Sequence, residues 1–191
     1  GNITNFFLNK KQFFITEVDS YMLSKLKKKF HSRHTIFKKL DITKKPPKIF
    51  NSFFNSVIAI NVLEHIDDDE LALANLNKVL RKDGRLYLLV PAKKWSYTKL
   101  DYMLGHFRRY EKKELEEKLK DNDFEVEKIY FFNLVGLISW KIRDILQKEI
   151  KISKKQVTMF DKIVPILKII ESFITPPLGI SLIVIARKKD V

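Results

Sequence analysis

Residues able to do chemistry gather at four places along the chain, and three of these are the ends of apolar runs. Glu17 and Asp19 close the run Phe13 to Val18, Asp41 closes His34 to Leu40, and Asn61, Glu64 and His65 close the Val- and Ile-rich run Ser56 to Leu63. Carboxylates at successive strand ends suit a polyhydroxylated ligand laid across the carboxyl edge of a sheet, where open α/β sheets bind their ligands. The fourth place is Leu104-Gly105-His106-Phe107-Arg108-Arg109-Tyr110, in a long connection. His65 and His106 are imidazoles that can take a proton near neutral pH, and Arg108 and Arg109 carry guanidinium forks suited to a phosphate or carboxylate beside the phenol of Tyr110. An ion-pair cluster of Arg108 or Arg109 with Asp101 or Glu111 accounts for this group equally well, and a loop-orienting role accounts better for His65. With no cysteine and only four histidines, thiolate chemistry is excluded and no metal site is expected.

The elements that must position these residues are legible from periodicity. Asn55 to Ala92 reads as one strand, helix and strand unit. Its first strand is a continuous apolar run of the kind buried on both faces of a parallel sheet. Asp67 to Glu70 place four carboxylates on the first turn of the helix, where exposed amides and the dipole favour negative charge. Leu71, Leu73, Leu76, Val79 and Leu80 form its stripe, Asp83-Gly84 ends it, and Arg85 to Val90 is a second strand closed by Pro91, which completes a βαβ crossover. Upstream, residues 1–10 have helix character, Phe13 to Val18 and His34 to Leu40 are strands, and Ser20 to Phe30 is an amphipathic helix with Met22, Leu23, Leu26 and Phe30 inward. Downstream, Lys93 to Tyr110 is a long connection, Glu111 to Lys120 a helix, Phe124 to Phe132 a strand and Ile180 to Ala186 a last strand. Between these two strands apolar residues recur at helical spacing from Asn133 to Ile174.

The 191 residues, 45% of them hydrophobic, suffice for one well-cored domain. The formal charge of +14 is concentrated in residues 1–50, which hold 12 basic and 3 acidic side chains. The lysines are not interleaved with aromatics or glycines in a nucleic-acid motif, so nucleic acid is disfavoured as a partner, while peripheral contact with an anionic membrane stays open. No uncharged run approaches the roughly 20 residues that span a bilayer, and no signal peptide opens the chain, so a cytoplasmic location is expected.

Strand, acid, helix, acid, then NVLEHIDDDELALANLNKVLRKDGRLYLLVPA, resembles the class I S-adenosylmethionine-dependent methyltransferases, over nearly the whole chain. The most specific pieces are Asn61-Val62-Leu63-Glu64-His65-Ile66, the Leu-Arg-Lys-Asp-Gly-Arg-Leu turn and Leu104 to Tyr110. The resemblance implies an α/β fold: a Rossmann-like, doubly wound, mostly parallel sheet in a single domain, with an antiparallel last strand and a helical cap, residues 133–175, inserted before it. Gly1-Asn2-Ile3-Thr4 looks like the tail of the family's glycine-rich turn, and since the strand before that turn is absent from the sequence, residues preceding Gly1 are expected in the natural protein. Asn55 stands where a strand-opening Asp is usual, and Asp123 where a glycine is.

By the same resemblance S-adenosyl-L-methionine is the cofactor. Glu17 looks like the acceptor of both ribose hydroxyls, with Asp19 its rival. Asp41 looks like the acceptor from the adenine amine, with Ile42 near the ring, and Gly1, Asn61 and Glu64 border the methionine end. A helix N-cap is the structural alternative for Glu17 and Asp19. Methyl transfer needs alignment more than an elaborate catalyst, with a base only where the acceptor must lose a proton. His106 and His65 are the catalytic candidates, and Arg108, Arg109 and Tyr110 the acceptor-binding ones. Replacing His106 or Arg109 is accordingly expected to spare the melting temperature. The acceptor implied is a small molecule or lipid precursor, with an anionic group as corollary. A cofactor-free binding module and a basic RNA-binding methyltransferase are the competing functions.

Overall fold

The structure, a computed structural model, describes residues 4, 13–30, 34–134, 136–137, 140 and 177–190. Gly1, nearly all of the first expected helix and nearly all of the expected cap lie outside the described residues. The chain divides into two compact units, Gly1–Pro46 and Pro47–Val191.

In the first unit, β1 (Phe13–Glu17), α1 (Ser20–Lys29) and β2 (Thr35–Lys39) form a parallel βαβ arrangement, in register from Phe13 opposite Thr35 to Glu17 opposite Lys39. Asp19 caps α1: its Oδ1 accepts from the Met22 amide at 2.7 Å, one of the helix's orphan donors. At the other end Lys27, Lys28 and Lys29 sit where the dipole favours cations. Ile15, Leu23 and Phe30 are buried, but Met22, expected inward, is 50% exposed. The hydrophobic stripe is narrower than the sequence suggests, because Leu23 takes the inward position and Met22 lies one residue round the helix from it.

The second unit contains β3 (Phe54–Ile60), α2 (Asp69–Val79), β4 (Leu80–Pro91), α3 (Lys99–Met103), α4 (Lys112–Asp121), β5 (Phe124–Phe132) and β6 (Ser181–Lys188). The sheet order is β3-β4-β6-β5. β3 and β4 run parallel, and β6 is antiparallel to both its neighbours, so the last strand is the reversed one in a parallel-dominated sheet, as expected. Leu86, Leu88 and Val90 of β4 stand opposite Ala186, Val184 and Leu182 of β6, and all six are buried on one face. Against the sheet pack α2 on β4, through Leu73, Leu76 and Val79, and α4 on β5, through Leu115 and Leu119.

Three expectations are corrected here. β3 stops at Ile60 rather than Leu63, and of its residues only Ala59 is buried, because it forms one edge of this sheet and lacks a second neighbour within it. α2 begins after its cap Asp68, whose side chain accepts from Leu71, so Asp67 is outside the helix and Leu71 is 43% exposed. The helix ends at Val79 and not at Asp83-Gly84, since fully buried Leu80 already pairs with Phe54. Residues 81–84 then bulge out before Ser56 meets Arg85. Gly84 belongs to that bulge: a Cβ there would stand 2.8 Å from the Arg81 carbonyl oxygen and 3.1 Å from that of Phe54.

Candidate active site

The expected loop from Lys93 to Tyr110 is a built structure. It holds a 3-10 turn at Lys94–Ser96 and the helix α3, and its far end returns to the carboxyl edge of β4. The Tyr110 amide donates to the Pro91 carbonyl and the Lys93 amide to that of Tyr110, each at 2.9 Å. At the carboxyl end of β3 the chain makes a tight bend: Asn61 takes φ 50, a left-handed conformation that Asn tolerates better than most residues. A 3-10 turn, Leu63–His65, follows. The two segments meet where the Phe107 amide donates to the Glu64 carbonyl at 2.7 Å.

This junction brings Glu64, His65 and His106 together. The two imidazole rings lie edge to face with centroids 4.7 Å apart. His65 Nδ1 lies 3.2 Å from the Gly105 carbonyl oxygen, which can only accept, so Nδ1 carries the hydrogen and Nε2 the lone pair. Gly105 itself has φ +75, which a side chain would strain. His106 Nδ1 lies 2.9 Å from Oδ1 of Asp101, and this carboxylate likewise takes the Nδ1 hydrogen and leaves Nε2 as the working nitrogen. Asp101 is fully buried and thoroughly bonded. Its Oδ2 accepts from the Thr98 amide at 2.8 Å, and its Oδ1 accepts from Nε and Nη2 of Arg109 at 2.9 Å.

Arg109 and Tyr110 are buried, with their polar groups already bonded. Arg109 is 2% exposed, gives Nη1 to the Ala92 carbonyl and to Ser96 Oγ, and lies 4.7 Å from the ring centroid of Trp140. Tyr110 is fully buried and donates its hydroxyl to Asp69 at 2.9 Å. Burial, with the Asp69 carboxylate beside it, holds that hydroxyl far above its ordinary range, so it remains a donor. Arg108 pairs with Asp69 at 3.0 Å and with Asp67, and Lys118 also meets Asp69 at 2.9 Å. The ion-pair alternative holds as expected for Arg109 with Asp101; Arg108 also pairs with carboxylates, but with Asp69 and Asp67 in place of Asp101 or Glu111, and Tyr110 joins Asp69 as a neutral donor. What went unread is the orienting role of Asp101, whose signal was Thr98-Lys99-Leu100-Asp101, a Ser/Thr-x-x-Asp/Glu helix start.

Glu64 is the anomaly of the site. It is fully buried, and neither carboxylate oxygen has a hydrogen-bond partner among the described residues. Burial pushes its carboxyl up from the ordinary 4.5 to about 7, and its own amide and Arg109 offset only part of that. The raised value means that stability present below pH 4.5 is lost as pH climbs through 7. Glu64→Gln, which keeps the shape without the charge, should therefore stabilise the protein at pH 8 by on the order of 3 kcal/mol in chelating buffer, with no gain near pH 4. Thermal melts at the two pH values check this, and an equal shift at both would refute it.

The remaining expected residues lie in the first unit. Glu17 stands at the carboxyl end of β1, half-buried, with Oε1 accepting from the amides of Val18 and Asp19 at 2.8 and 3.1 Å. Its second oxygen is not used in those bonds. Asp19 spends its carboxylate on the cap of α1. Asp41, just past β2, accepts from the hydroxyl and amide of Thr43 at 2.6 and 3.0 Å, and these bonds hold it below the usual carboxylate range. Ile42 follows in the same turn.

Parallel strands joined by helices and a reversed last strand define a Rossmann-like α/β fold. A family model described as "Methyltransferase domain" matches residues 3–129, and the chain belongs to that family. No match is found among curated proteins. Among solved structures, the chain is similar to the YcgJ protein from Bacillus subtilis, with 12% identity, 100% of this chain and 88% of that one covered, and a TM-score of 0.65. It is also similar to an S-adenosylmethionine dependent methyltransferase from Mesorhizobium loti, with 12% identity, 93% and 81% covered, and a TM-score of 0.62. A third likeness is to the CMeT domain of the citrinin polyketide synthase, with 14% identity, 94% of this chain and a TM-score of 0.62, but this chain spans only 40% of that one. At such identities these likenesses establish the fold. No helix among the described residues is long and apolar enough to cross a membrane.

Proposed function

We propose that the protein transfers a methyl group from S-adenosyl-L-methionine to a hydroxyl of a small, largely apolar acceptor, with the Nε2 lone pair of His106 as the centre that activates that hydroxyl. The observation that carries this reading is the buried Asp101 carboxylate on Nδ1 of His106, which holds the ring beside His65 and Glu64 at the carboxyl edge of the sheet. When bound, the cofactor supplies an electrophilic methyl group. The residues present in the first unit suit such a molecule. Glu17 offers an oxygen at a strand end to vicinal hydroxyls, and Asp41, kept ionised by Thr43, suits an exocyclic amine. Charge-assisted hydrogen bonds of this sort are worth about 1.5 to 3 kcal/mol, so Glu17→Ala should weaken cofactor binding by roughly ten- to hundredfold, as read by calorimetric titration.

The apolar character of the acceptor is supported by what flanks the histidines. Leu104 and Phe107, on either side of Gly105-His106, are 52% and 55% exposed, and Tyr102 and Met103 are 76% and 60% exposed. The guanidinium groups, by contrast, already have carboxylate partners, so an anionic acceptor gains no support. Incubation with the cofactor and a panel of hydroxylated apolar compounds tests the reading. Release of demethylated cofactor in step with a methylated product supports it, while tight cofactor binding with no transfer to any hydroxyl would favour a binding module.

A further inference from the structure

The sequence contains no thiolate, yet the structure assembles a different ligand set. One donor atom from each of Glu64, His65 and His106 lies within 4.8 Å of the others. Donors around a divalent cation stand roughly 3 to 3.5 Å apart when each bond is about 2.1 Å, so small side-chain rotations close the set. Two further features point to a ligand. The Glu64 carboxylate is fully buried, with neither oxygen partnered among the described residues, an arrangement that costs stability unless something compensates the charge. Both imidazoles are oriented through Nδ1, one by the Gly105 carbonyl and one by the Asp101 carboxylate. That is how metal-ligating histidines are commonly held, with the second nitrogen directed at the ion.

We propose that Glu64, His65 and His106 bind one divalent cation of borderline softness, of the Co2+ or Zn2+ type. Two imidazoles and one carboxylate match such ions better than the all-oxygen sets of Ca2+ or Mg2+, and three protein ligands leave positions open. The inference deepens the proposed function and rests on it only for the choice of acceptor end. With the lone pair of His106 spent on the cation, the cation would activate the hydroxyl by binding the acceptor oxygen and polarising its O–H bond, and the released proton would go to solvent water beside exposed His65.

Titration of the chelator-stripped full chain with Co2+, followed by its visible absorption, tests the site with no need for an acceptor. One Co2+ per chain is expected, with the spectrum of a nitrogen-containing ligand set, and His65→Ala and Glu64→Gln should each weaken it by at least about tenfold. His65 is exposed and Glu64→Gln removes a buried charge without breaking a hydrogen bond, so both variants should fold. Absence of saturable binding, or affinity unchanged in both variants, overturns the proposal. Calorimetry with S-adenosylhomocysteine on the same samples separates the two readings. Cofactor binding without Co2+ binding sinks the metal site alone. Co2+ binding without cofactor binding leaves the site standing and sinks the methyl-transfer function.

Discussion

His106→Ala should lower turnover by about 10²- to 10⁴-fold, the range for losing a group that activates an acceptor's hydroxyl, while cofactor affinity stays within about twofold. The ring is held at a fixed Nδ1 contact of 2.9 Å to a buried carboxylate, so its loss removes an oriented lone pair rather than a flexible one. The fold should survive. The side chain keeps some exposure, and Asp101 retains Arg109 and the Thr98 amide when the imidazole is gone. Turnover is read as demethylated cofactor released with the acceptor. Wild-type turnover in His106→Ala would contradict the assignment.

Arg109→Ala should have the opposite profile and unfold the protein readily. It would leave the fully buried Asp101 carboxylate without its cation and strip Ala92 and Ser96 of a donor. Breaking a buried pair from one side costs about 3 to 5 kcal/mol, which for a domain of this size is a fall in Tm of roughly 6 to 20 °C. Activity measured well below that Tm should be far less affected than stability. A melting temperature within a degree or two of wild type would show that the pair does not hold the fold. This reverses the sequence expectation for Arg109, which grouped it with His106 as a residue the fold could spare.

The contrast between these neighbouring residues shows what the sequence can carry. The β3-α2-β4 unit and β5 were legible because their information is local: apolar runs of strand length, an 11-residue helix with its acids first, and turns at Pro91 and residues 121–123. The cluster at Glu64, His65 and His106 was legible as two separate motifs. Their junction was not, because it rests on a Phe107 amide finding a Glu64 carbonyl 43 residues earlier. Whether Arg109 and Tyr110 face solvent or the interior depends on Asp101 and Asp69, acids whose burial no periodicity announces. The end of α2 was misread because Lys-Val-Leu-Arg continues a helix as well as it starts a strand. Pairing with Phe54 and the close backbone approach at Gly84 decide the matter.

Cofactor binding by the first unit is tested most directly by calorimetric titration of the protein, of Glu17→Ala and of His106→Ala with S-adenosylhomocysteine. One-to-one binding is expected, weakened roughly ten- to hundredfold in Glu17→Ala and unchanged in His106→Ala. No binding by the wild-type protein, or the same affinity in Glu17→Ala, would contradict it.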